Sequence, residues 1–73
     1  NNSKYLDWIF EVMGADFLMG HIPQKINLKY VKEVRPGGMI TSSYELDGSQ
    51  SRHQVTSQGV VNAQALIQWT TKE

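Results

Sequence analysis

His21 and His53 are the only imidazoles in the chain, and neither has a second histidine, Asp or Glu at metal-ligand spacing. With no cysteine present, thiolate metal sites and a cysteine nucleophile are excluded outright. Both histidines therefore read as exposed or structural, and neither a metal nor a cofactor is expected. Glu33 sits between Lys32 and Val34 and, by its neighbours alone, is a solvated strand residue. Asn2 and Ser3 precede an apolar stretch with helical spacing. There, a short side-chain oxygen can accept from the free amides of a first helical turn, so both read as helix caps.

The elements that must position these groups follow from periodicity. Leu6, Ile9, Phe10 and Met13 recur at helical spacing, and Tyr5, Trp8 and Val12 widen the apolar face. Only Lys4, Asp7 and Glu11 form a polar edge, so this predicts a long helix wrapped by other structure. Gly14 supplies a residue able to end it, and Asp16 is placed to cap one further short turn before Pro23. From Lys25 the period changes to two. Ile26, Leu28, Tyr30 and Val34 take one face of a half-buried strand, with Lys25, Asn27, Lys29 and Glu33 opposite. After the Arg35-Pro36-Gly37-Gly38 turn, Met39 to Leu46 alternates again, with Ile40, Tyr44 and Leu46 in register. Asp47-Gly48 marks a hairpin, and Gln50 to Ser57 is polar enough for an edge or solvent-facing strand. Beyond Gln58-Gly59, Val61, Ala63, Ala65, Ile67 and Trp69 make one apolar face. The expected class is α+β: one helix followed by four mainly antiparallel strands.

At 73 residues the chain is one domain at most, close to the lower limit for a self-sufficient core. Burial of one helical face does not offset the entropy of ordering the helix, so a sheet must curl around it. Seven basic and seven acidic residues cancel, which gives no electrostatic reason to expect nucleic acid or an anionic membrane. No apolar run approaches a membrane span, and no basic segment precedes a signal-like stretch, so a cytoplasmic setting is expected. Asn1-Asn2-Ser3 is formally a glycosylation sequon, of little weight without a secretory signal.

Three stretches carry a resemblance to a known family. "NNSKYLDWIFE" resembles the helix start of acyl-acyl-carrier-protein thioesterases, an Asn-Asn-x-Lys-Tyr-x-x-Trp string. "INLKYVKEVRPGGMI" is similar to that family's next strand, which carries a glutamate and runs into a glycine-containing turn. "NAQALIQW" resembles its last strand. Together they cover essentially the whole chain, and the first is the most specific. The resemblance implies a hot-dog fold, in which a long central helix is gripped by a curved four-stranded sheet. It also implies that residues 1–73 are a C-terminal hot-dog domain fragment, beginning just after an Asp-x-Asn-x-His catalytic segment and lacking the first strand.

The implied activity is hydrolysis of fatty acyl thioesters of acyl carrier protein (acyl-ACP) to free fatty acid and holo-ACP, within fatty acid biosynthesis. In that family a water is activated by polar side chains, and the thioester carbonyl is held near the helix N-terminus. Glu33 matches the family's strand glutamate. Asn2 and Ser3 match the position whose backbone amides, with the helix dipole, would stabilise an oxyanion. Val34 stands where many plant members have a Cys, which excludes a mechanism needing that thiol and points to a bacterial source. Met13, Met19 and Met39 would suit an acyl-chain pocket, although core packing accounts for them as well. Lys25, Lys29, Lys32 and Arg35 form a basic region that would attract an acidic carrier, or else simply a solvated face. Partners implied are an acyl carrier protein and either an N-terminal hot-dog domain or a second copy, hence a homo-oligomer. The fragment itself is expected to be inactive. The alternatives are a non-catalytic packing or dimerisation module and an acyl-CoA thioesterase.

Overall fold

The computed structural model of the chain describes residues 3–35 and 37–72, with the backbone only at Ser3. Helix α1 spans Ser3–Glu11 and α2 spans Ala15–Gly20; four strands follow, β1 (His21–Tyr30), β2 (Thr41–Asp47), β3 (Gln50–Ser57) and β4 (Val60–Thr71). Every strand pairing is antiparallel, and the sheet order is β1-β4-β3-β2. Both short hairpins sit where the turn chemistry predicted them. In the second, Gln58 and Gly59 both take positive φ (50° and 75°), the pairing that lets a two-residue turn follow the twist of its strands.

One face of the sheet carries the core. Ala63, Ala65, Ile67 and Trp69 of β4 are buried, flanked by Val55, His53 and Ser51 of the neighbouring β3. Against them lie Tyr5, Ile9 and Met13, four residues apart, so they stack on one side of α1 and its C-terminal extension. Trp69 anchors the far end, with Phe10 and Phe17 meeting its ring edge-to-face at 6.0 and 4.9 Å. The opposite face is polar, its register rows running Lys29-Gln64-Gln54-Ser43 and Asn27-Leu66-Arg52-Glu45.

Several expectations need correction. The helix is short: nine residues, closed by i−3 bonds from Met13 N to Phe10 O and Gly14 N to Glu11 O. Gly14 then takes φ 85°, ψ 154°, a conformation open essentially to glycine, and this corner ends α1. Gly14, not Asp16, holds the N-cap position of α2 and has no side chain to cap with. The buried stripe is Tyr5/Ile9/Met13, while Leu6 and Phe10 are half-buried.

β1 starts at His21 instead of Lys25. Pro23 is accommodated because β1 is an edge strand with a bulge between Pro23 and Lys25. Val34 lies beyond β1, in the connection to β2. β3, expected at an edge or facing solvent, is central, and its Ser51 and His53 are buried. Conversely Ile26, Tyr30, Tyr44 and Leu46 remain 38–47% exposed. The reason is geometric. A nine-residue helix is about 13 Å long at roughly 1.5 Å per residue, whereas twelve-residue β4 runs about 40 Å at roughly 3.3 Å per residue. One such helix approaches β3 and then β2 and is too short to cover the whole apolar face of the sheet. Met19 on α2 and Met39 in the connection between β1 and β2 are exposed as well, so of the three methionines only Met13 packs in the core.

Candidate functional site

The site begins where β1 ends. After Tyr30 the chain leaves the sheet, and the amides of Val31 and Lys32 both donate to the carbonyl of Asn62, at 2.8 and 3.1 Å. Asn62 is the extra residue of a bulge, since Val55 pairs Ala63 while the next residue, Thr56, pairs Val61. That irregularity breaks the alternation of β4 and turns a polar side chain inward, leaving Asn62 1% exposed. Its Nδ2 donates to Lys32 O at 2.9 Å, and its Oδ1 accepts from Ser57 Oγ at 2.7 Å. Two residues on, the Val34 amide donates to Tyr5 Oη at 3.3 Å. Tyr5 is itself locked edge-on between Trp8 and Tyr30, with ring centroids 5.4 and 5.2 Å away.

Glu33 therefore lies in a tethered segment of the connection and not in a strand. It is exposed, and it lines an open cleft of about 730 Å³ with Lys4, Tyr5 and Trp8 of α1 and with Lys32 and Arg35. A smaller recess of about 150 Å³ borders Glu33 on the side of Ser57 and Asn62. A groove of about 810 Å³ also crosses the sheet past Asn27, Lys29, Glu45, Arg52 and Gln64, but no residue of α1 reaches it. The Glu33 cleft thus combines a carboxylate, three cationic side chains and the opening turn of a helix. A carboxylate can take a proton from water, and helix amides can hold a developing oxyanion.

Asn2 lies outside the described residues, and Ser3 opens α1, the position from which a first-turn amide would be offered. Of the basic region, Lys32 and Arg35 line the cleft, while Lys25 and Lys29 fall on the outer face of β1. His21 is half-buried, stacked on Phe17 at 3.9 Å, and donates from Nδ1 to the Phe17 carbonyl at 2.8 Å. Among the described residues no group of three or more His, Asp or Glu converges on a metal position.

Asn62 and the Tyr5 hydroxyl were not legible as site residues. The only trace of Asn62 is a polar residue after the Val60-Val61 pair, where strict alternation points it to solvent.

A second polar cluster is sealed inside. Trp69 Nε1 donates to Ser51 Oγ at 2.7 Å, and Ser51 Oγ lies 2.6 Å from His53 Nε2. Burial lowers the His53 pKa below its ordinary value, and its Nδ1 is buried without a partner. The spacing suits a nucleophile and base, but Ser51 and His53 are only 0% and 2% exposed and no third group orients the imidazole. The cluster is structural.

Sequence comparison decides what this arrangement belongs to. The model of the "Acyl-ACP thioesterase C-terminal domain" family matches residues 1–71. The chain belongs to that family. Among solved structures, this thioesterase domain is similar to the 12:0-ACP thioesterase from Umbellularia californica, with TM-score 0.91, 26% identity, 99% of this chain and 28% of that one. It is equally similar to a protein described as an oleoyl thioesterase from Lactobacillus plantarum, with TM-score 0.91, 25% identity, 100% of this chain and 31% of that one. A Thermus thermophilus thioesterase solved with coenzyme A and Zn shares the fold at TM-score 0.72 and 21% identity, covering all of this chain and 70% of that one. Comparison with curated protein sequences returns no match. The domain is thus a hot-dog domain of thioesterase type, spanning less than a third of the length of the first two structures it matches. None of its described helices is long and apolar enough to cross a membrane.

Proposed function

We propose that this domain forms the C-terminal part of an acyl-ACP thioesterase and contributes Glu33 to the hydrolysis of fatty acyl thioesters. The observation that carries the reading is the cleft in which Glu33 faces the first turn of α1, beside Lys4, Tyr5 and Trp8. Water attacks the thioester carbonyl carbon while the Glu33 carboxylate orients it or accepts its proton. The first-turn amides around Asn2 and Ser3 stabilise the oxyanion. The C–S bond then breaks, and the carrier's thiolate takes up the proton, leaving free acid and holo carrier. The cationic rim of Lys4, Lys32 and Arg35 suits an acidic carrier protein better than a neutral ligand.

The rest of the fold and of the catalytic group belongs, in this reading, to an Asp-x-Asn-x-His segment and a first strand ahead of Asn1, pairing beside β2. An N-terminal hot-dog domain or a second copy lies along β1. The setting is the cytoplasm of a bacterium. The isolated 73-residue chain is then inactive. In a protein restoring the upstream segment and partner domain, Glu33→Gln should lower kcat on acyl-ACP by about 10²-fold or more, the range typical of a lost acid–base group. Turnover by the isolated chain above its own Glu33→Gln control would overturn the reading of an incomplete site. Undiminished turnover in the restored Glu33→Gln protein would favour a packing role instead. Comparing ACP-linked with CoA-linked acyl groups separates the two carriers.

A further inference from the structure

The two peptide groups that flank Glu33 are each held by a single side chain from a different part of the core. The carbonyl before it, Lys32 C=O, accepts from Asn62 Nδ2 at 2.9 Å. The amide after it, Val34 N–H, donates to Tyr5 Oη at 3.3 Å. Fixing both flanking peptide planes fixes φ and ψ at Glu33, and so sets the direction in which an otherwise exposed side chain leaves the backbone. Neither brace is itself free to drift. Asn62 is 1% exposed, with Oδ1 occupied by Ser57 Oγ, and its own carbonyl takes the Val31 and Lys32 amides. Tyr5 is 8% exposed and wedged between two aromatic rings. The orientation of the Asn62 amide follows from its partners, because a carbonyl such as Lys32 O can only accept.

We infer that Asn62 and Tyr5 are positioning residues for Glu33, holding its carboxylate toward the opening turn of α1 through the peptide groups on either side of it. This inference rests on the role proposed above for Glu33. It also gives the β4 bulge a purpose: a regular strand would send residue 62 to solvent and leave the segment 31–35 tethered at one end only. Tyr5 adds a direct link between the helix start and the carboxylate segment.

The test uses the two-domain enzyme, with Asn62→Asp, which keeps the shape but loses the donor to Lys32 O, and Tyr5→Phe, which keeps the ring but loses the hydroxyl. Each should lower kcat at least about tenfold, as expected for a slightly misplaced catalytic group, with KM within about twofold. A fall in kcat without a matching change in KM is the readout that a merely structural role would not give. Thermal melting establishes that each variant is folded. Should Asn62→Asp fail to fold, Tyr5→Phe carries the test, since its ring packing is retained. If Glu33→Gln abolishes turnover while both variants keep wild-type kcat, the brace is wrong and the Glu33 role stands. A loss confined to KM would also overturn it, by placing these residues in substrate binding. If Glu33→Gln leaves turnover intact, the Glu33 role fails first and the brace loses its purpose with it.

Discussion

His53 shows how a single buried side chain ties stability to pH. Its imidazole stacks on Tyr44 and approaches Ser51, yet its Nδ1 finds no partner, and burial pulls its pKa below the ordinary value of 6.5. Above that value both folded and unfolded chains hold it neutral, and it adds no pH dependence. As pH falls below about 6.5 the unfolded chain takes up a proton that the folded chain refuses, so stability declines until the lower folded pKa is reached. His53→Gln, which keeps a polar group beside Ser51, should flatten the change in urea midpoint between about pH 7 and pH 5. Identical slopes would show that His53 is not held neutral by the core.

At the scale of elements, α1 is defined by which of its apolar residues reach the sheet. Ile9 is fully buried in one cluster with side chains of β3 and β4, whereas Leu6, equally apolar and helically spaced, is half-buried. Ile9→Ala should therefore cost about 2–5 kcal/mol, as for a filled core position. Leu6→Ala should cost clearly less, with chemical denaturation reading both; equal losses would mean that another surface covers Leu6 in solution. The order of the two costs was not legible beforehand, because helical spacing put Leu6, Ile9, Phe10 and Met13 on one stripe. The sheet selected a different one, Tyr5/Ile9/Met13, which joins Val55, Ala63, Ala65, Ile67 and Trp69 in one buried cluster.

For the molecule as a whole, one short helix on a four-stranded sheet leaves much apolar surface uncovered. Ile22, Ile26, Tyr30 and Val31 are all 38–51% exposed along or just beyond the β1 edge. An edge of that length with an apolar fringe invites pairing with a second hot-dog unit. Light scattering on the isolated chain should report a mass that rises with concentration. Ile22→Lys with Val31→Lys should return it to the monomer, with both sites exposed enough to tolerate the charge. A monomer at all concentrations would remove the β1 edge as an association surface.

Much of the architecture was readable from residue order. The change from helical to alternating periodicity, the Asp47-Gly48 and Gln58-Gly59 turns and the apolar run to Trp69 each act over a few neighbours, so their physics is contained in the local sequence. The Asn-Asn-x-Lys-Tyr string led to the family in the same local way. What only the tertiary structure decided depends on groups far apart in the chain. The centrality of β3, the sealed Ser51–His53–Trp69 cluster and the inward turn of Asn62 all follow from strand order and one bulge. The hydrogen bond from the Val34 amide to Tyr5 Oη, beside Glu33, spans 29 positions and exists only because β1 returns the chain to the helix start. Alternation can say which face a residue takes within a regular strand. It cannot say which face will be covered, nor where the pattern will slip, because both depend on the shape of the partner surface.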